Sequence, residues 1–249
     1  MKVIINADDL GMSLEVNNAI FELMAQGRVT SATMMANGAA LEDAVVRAGR
    51  MNGCSFGVHL NASQFKPLTT HPGLLPILDK EGCFAGNAVR EVPITSEIRT
   101  AIFQEWCAQV ERIRAAGVSI SHLDSHHHTH TVPGLFTVFK GVQRRFGIRK
   151  ARATMNIYSR RTPGRWPLLA RKAVWNFALR HYYHTITTNG FTSLQIFTEA
   201  ASEKKLGYRS VELMVHPGGD SFAEETRLLC TDWWQKIPVT ISRINYHEL

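Results

Sequence analysis

KVIINADDLGMSLEVNNAIFELMAQG, residues 2–27, decides the reading of the fold. Lys2–Asn6 is a short apolar run suited to a buried strand, and Leu14–Gln26 repeats its apolar residues at helical spacing. Ser13 stands where an N-cap hydroxyl accepts from the first turn, and Gly27 where a left-handed residue ends a helix. Strand, loop and helix form one βα unit, and the succession recurs. Thr30–Gly38 reads as strand plus turn, Leu41–Arg50 as helix and Ser55–Asn61 as strand. The irregular stretch that follows, to about Pro93, is long for a connector and predicts an active-site loop.

Downstream, the pattern predicts a helix over Ser96–Ala116, a strand over Val118–Ser125, a helix over Gly134–Phe146 and a strand over Ala151–Asn156. A partly helical basic segment runs to about His184. SLQIF (193–197) and Val211–Val215 are strand candidates around a helix over Thr198–Leu206, and Glu224–Leu249 holds a helix and a short strand. About seven alternating units predict an α/β fold, a distorted or incomplete TIM-like (β/α) barrel. It occupies 1–249 as a single domain, with a basic, partly helical insertion at about 157–188.

A chain of 249 residues with 45% hydrophobic and 20% charged residues suits one large domain. No run of about 18 apolar residues and no signal-peptide pattern occurs, so a cytoplasmic location is expected. Cys54, Cys83, Cys107 and Cys230 form no CxxC pair and read as reduced structural thiols. The net charge of +7 is unevenly spread: Ser125–Thr198 contains no Asp or Glu, and the remainder is net acidic. In Arg165–Tyr183, Trp166, Trp175, Tyr182 and Tyr183 lie among cations. A capping or homodimer-contact helix with solvated charges is the first reading. Peripheral contact with a membrane, or with an anionic or lipid-linked glycan, is the second, though Arg171, Lys172 and Arg180 spread around the helical wheel. A nucleic-acid module would have no use for the acidic and histidine clusters described next.

In such barrels chemistry collects where strands end. Asp8 and Asp9, His59, Asp124 and His126, and His216 all stand at strand exits. Two adjacent buried carboxylates repel and call for a cation or a shared proton. One can bind an ion while the other stays free as a base, with two imidazoles completing a facial triad. Helix capping by the pair is the bland alternative, but Ser13 already holds that place. In His126–His130 (HHHTH) an extended chain would put His126, His128 and His130 on one side and His127 on the other, giving one or two ligands. Pro217, Gly218 and Gly219 would hold His216 rigidly over a pocket.

NADDLGMS (6–13), VTSATMMANG (29–38), GVHLN (57–61), HLDSHHHTH (122–130) and ELMVHPG (212–218) occur in an order that resembles the YdjC family of carbohydrate deacetylases. Leu10 and the sequence LNASQ (60–64) depart from common family patterns. The resemblance implies a distorted barrel binding one divalent ion, Zn2+ or Mg2+, through Asp9, His59 and His126. It further implies hydrolysis of the N-acetyl group of an amino sugar or oligosaccharide by metal-activated water, with Asp8 as general base and His216 as general acid. His128 is an alternative acid or a substrate contact, Asp124 orients a ligand imidazole, and Asn61 contacts substrate or supports the site. The competing readings are another metal hydrolase, such as a phosphoesterase or amidohydrolase suggested by the His126–His128 pair, and a non-catalytic sugar-binding protein.

Overall fold

The structure is a computed structural model that describes residues 1–203 and 206–249. Parallel strands β1 (Lys2–Leu10), β2 (Ser31–Met34), β3 (Ser55–Leu60) and β4 (Ile120–Ser125) lie in sequence order on one side of β1. On its other side come β6 (Ser210–Val215) and β5 (Gly190–Ser193), while the short β7 (Ser242–Arg243) pairs with the start of β1. The connections are α1 (Leu14–Ala25), α2 (Leu41–Ala48), α3 (Ala88–Glu91), α4 (Ser96–Ala115), α5 (Phe136–Phe146), α6 (Trp166–His181), α7 (Leu194–Glu203) and α8 (Ala223–Leu229).

This is a single-domain α/β fold whose curled parallel sheet makes an incomplete barrel. Its outer residues, such as Val3, Ile5 and Ala7, join the apolar core beneath the helices. Neighbours of opposite parity differ: Ile4 packs with Ile244 and Tyr246, while Asn6 and Asp8 are buried polar groups. Burial on both faces of parallel strands explains why the sequence runs show little simple alternation.

Three expectations need correction. Ala151–Asn156 is not a strand: Ala151 makes one isolated bridge, to Leu123 of β4, and Thr154 turns its backbone N–H and C=O to the Asn176 side chain instead of a neighbouring strand. The segment nevertheless closes part of the gap between β4 and β5, because Leu123 and Ile186 bond its backbone. SLQIF is helical from Leu194 onwards, the Ser193 hydroxyl accepting from Ile196 N–H, and the strand lies earlier at Gly190–Ser193. The helix expected over Thr198–Leu206 is the later part of α7; Lys204 and Lys205 lie outside the described residues.

The first strand also runs four residues further than Asn6. Its pairing with β2 slips between Ala7 and Leu10, and Asp9 adopts φ +66°. A straight strand would send Asp8 and Asp9 to opposite faces. The bulge redirects one of them, so both carboxylates reach the same interior.

Candidate metal centre and its buried arginine

Asp9 Oδ1 lies 3.2 Å from His59 Nε2 and 2.8 Å from His126 Nδ1. These three side chains form a group whose ligand atoms could hold one ion. Each imidazole has its far nitrogen engaged. His59 Nδ1 is 2.7 Å from Asp124 Oδ1, and His126 Nε2 is 2.9 Å from Gln64 Oε1. With those nitrogens donating, the near ones present lone pairs toward Asp9. Three acceptors then converge, and Asp9 Oδ1 is buried without a hydrogen bond of good geometry. A cation fits this arrangement, whether a proton or a metal ion.

Charge points the same way. Burial opposes ionisation of Asp9, yet His126 and His59 hold its carboxyl well below the usual range. Burial likewise opposes a charged His59, but Asp124 and Asp8 push its proton affinity up to about 10. The position between these carboxylates therefore favours positive charge strongly.

Asp8 is held apart from that cluster. Arg152 Nη1 and Nη2 donate to its two oxygens at 2.6 Å each, while His59 Nε2 stands 4.0 Å away. Arg152, fully buried, also contacts Asp124 Oδ2 at 2.9 Å and donates through Nε to Glu212 Oε1 at 2.7 Å. Burial would raise the Asp8 pKa, but Arg152 drives it well below the carboxylate range. A second group, Asp8, His59 and Asp124, has ligand spacing too. Arg152 already bonds its two carboxylates, making it the poorer cation site. Asp8, Asp9, Asp124 and Glu212 gathered around one guanidinium leave negative charge in excess, a demand that a further cation meets.

The loop after β3 completes the wall. Glu105 accepts from Leu68 and Thr69, and Gln109 bonds both backbone groups of Asn61, which fastens the loop to α4. Asn61 spends its amide on this loop, donating to Asn37 and Gln64 O and accepting from Ser63 and Gln64 N–H. It thus braces Gln64, and through it His126, with no amide hydrogen left over for a ligand.

The histidine run is not extended. His127 and His128 take φ +50° and +54° in a tight turn, so alternation does not apply. His130 is buried against Ser125 and Phe139, and His127 meets Ser63. His128 sits edge-on to Phe191, where burial and Arg152 push its proton affinity down to about 3. It lines an open, mostly apolar cavity with Phe191, Met155, Trp175, Arg171 and Lys172, of about 130 Å³.

His216 closes the opposite side. Its Nε2 is 3.9 Å from Asp8 Oδ2, its ring stacks on Phe222, and its backbone N–H donates to Glu225 Oε1. Burial disfavours its charged form, but Glu225, Asp8 and Asp9 together raise its pKa above 6.5.

Arg152, Glu212, Gln64 and Glu225 have no place in the sequence-based site. Arg152 was concealed as one of many cations in an acid-free run, inside a segment expected to be a strand.

Fold and cluster define a parallel α/β-barrel protein with a candidate metal centre at the carboxyl ends of its strands. The YdjC-like family model matches residues 2–238, and the chain belongs to that family. It is 30% identical over 244 residues to a carbohydrate deacetylase of Brevibacillus brevis, covering 90% of this chain and 88% of that protein. It is 40% identical over 148 residues to a Vibrio campbellii carbohydrate deacetylase, covering 59% and 57%. The chain thus spans little over half the length of the Vibrio relatives it matches. An Enterococcus faecalis V583 structure, named for cellobiose-phosphate cleavage, shares the fold at TM-score 0.76 and 22% identity, covering 99% and 98% of the chains.

Proposed function

We propose that the protein is a divalent-metal-dependent carbohydrate deacetylase that hydrolyses the N-acetyl group of an amino sugar. The observation that carries this reading is the separation of the two aspartates: Asp9 faces two imidazoles, while Arg152 clamps Asp8 beside them. Family membership and the activity named for the relatives supply the acetylated sugar.

Asp9, His59 Nε2 and His126 Nδ1 would hold the ion, with Asp124 and Gln64 fixing the two tautomers. Such an ion supplies Lewis acidity, polarising the acetamide carbonyl and acidifying water in its coordination sphere. Asp8 takes the proton of the attacking water. Clamped by Arg152 it is ionised at every working pH, but it is a weak base that needs an already acidified water. His216 protonates the departing amine. Its raised pKa favours the charged form, whereas His128 is held neutral by burial and Arg152. His128 instead lines the wall where the rest of the sugar lies.

The test is acetate release from N-acetylated mono- and disaccharides by chelated and metal-restored protein, with metal analysis. Activity lost on chelation, restored by Zn2+ or Mg2+ and matched by one ion per chain is the expected result. Two ions per chain with phosphodiester turnover, or sugar binding without acetate release, would favour the competing readings.

Because His216 must carry its proton to act as acid, kcat/KM should fall as pH rises through its pKa, above 6.5. Glu225→Gln removes a raising charge yet keeps the oxygen that accepts the His216 N–H. That alkaline limb should therefore move to lower pH. An unmoved limb would remove His216 from the role.

A further inference from the structure

Helix α6 is poorly buried: of its sixteen residues only Asn176 and Leu179 are fully covered. Trp166, Ala170, Ala173, Val174, Phe177 and His181 recur at three- and four-residue intervals and so share one side. Trp166 is 77% exposed, Val174 69% and Phe177 63%, and Tyr182 and Ile186, which follow the helix in sequence, are exposed as well. Among the described residues, five of the nine exposed large apolar side chains fall in this one stretch of sequence, and the others are scattered along the chain. Concentration of this kind marks an interaction surface.

We propose that α6 docks the protein onto an anionic membrane surface, its apolar row lying in the interface between headgroups and acyl chains. The charge around the row carries the choice of partner. Arg144, Arg160, Arg161, Arg165 and Arg171 are exposed in the same region, in a segment with no acidic residue between Ser125 and Thr198. Glu199 and Glu203 lie at one end, near Arg161 and beneath the Arg160 backbone. Arg171 borders the row, and with Arg160, Arg161 and Arg165 just before the helix it sets exposed cations beside the apolar strip, as in helices that lie flat on anionic lipid. A second copy seated here would set these arginines against their own equivalents, a like-charge contact. Trp166 and Tyr182, at the two ends of the patch, are the side chains that settle at headgroup depth. No helix of the described residues is long and apolar enough to cross a membrane, so the contact is peripheral.

Docking would also matter for the site. Arg171, Lys172 and Trp175 of the same helix line the cavity that reaches His128 and Phe191. The proposal does not depend on the deacetylase reading, since it concerns a surface and not the reaction.

The full chain is mixed with vesicles of phosphatidylcholine alone, or of phosphatidylcholine with phosphatidylglycerol, and sedimented. Binding to the anionic vesicles, weakening with salt, is expected, together with a roughly five- to tenfold loss of partitioning in Phe177→Ser and in Trp166→Ser. Brominated phosphatidylglycerol should quench wild-type fluorescence more than that of Trp166→Phe. Phe177→Ser should release acetate from soluble substrates at the wild-type rate, since Phe177 lies outside the proposed site. Vesicle binding that is absent, or indifferent to Phe177→Ser, would overturn the proposal. So would a dimer in sedimentation equilibrium abolished by Phe177→Ser, or binding to poly-glutamate without binding to vesicles.

Discussion

Asp8→Asn is expected to lower acetate release by about a thousandfold while leaving one divalent ion per chain, the loss typical of removing a general base. The amide keeps the shape of the carboxylate but loses its charge, its capacity to take a proton and one of the two oxygens that accept from Arg152. Metal should stay because Asp9, His59 and His126 converge without Asp8, whose nearest approach to His59 Nε2 is 4.0 Å. Metal analysis and acetate assay on the same preparation separate the outcomes. Activity and metal lost together would make Asp8 a ligand; activity retained would end its role as base.

Arg152→Met should destabilise the fold more than any other single change at the site. It would leave Asp8, Asp124 and Glu212 facing one another in an interior where their side chains are 0–3% exposed. Breaking such a buried ion-pair network costs about 3–5 kcal/mol, or roughly 6–20 °C in Tm for a chain of this size. The pH dependence should invert. In the wild type Asp8 is depressed on folding, so its contribution is present above the unfolded value of 3.8 and is lost as pH falls through the folded one. In the variant the unpaired carboxylates bind protons more readily folded than unfolded, so acid should stabilise it. Thermal unfolding at several pH values reads both effects. A Tm within a degree or two of wild type would show that the network is not what holds these carboxylates.

Local pattern places Asp8, Asp9, His59, Asp124 and His216 at the ends of apolar runs, and the parallel strands bring these residues near one another. What escaped reading depends on partners distant in sequence. The slip that turns Asp8 and Asp9 inward is a property of β1 against β2, not of NADDLG alone. Asn176 draws the Thr154 backbone out of strand pairing from a helix some twenty residues away. Arg152 gains its importance only once Leu123 and Ile186 set its backbone beside the barrel. His127 and His128 show a different limit, since nothing in their residue type demands a left-handed turn.

The central strand has a consequence for how the molecule comes into being. Lys2 pairs with Ser210 and Ser242, and Tyr246 caps Glu212, which in turn holds Arg152. Contacts of such sequence separation form slowly, and during synthesis they wait for the distal segments to leave the ribosome. The strand that carries both aspartates thus pairs early with β2 but gains β6 and β7 only from segments far downstream. A nascent chain halted before residue 210 would have made Asp8, Asp9, His59, Asp124 and His126 but not Glu212, His216 or Glu225, with no β6 to seat them against, and would expose an unpaired β1 edge to chaperones.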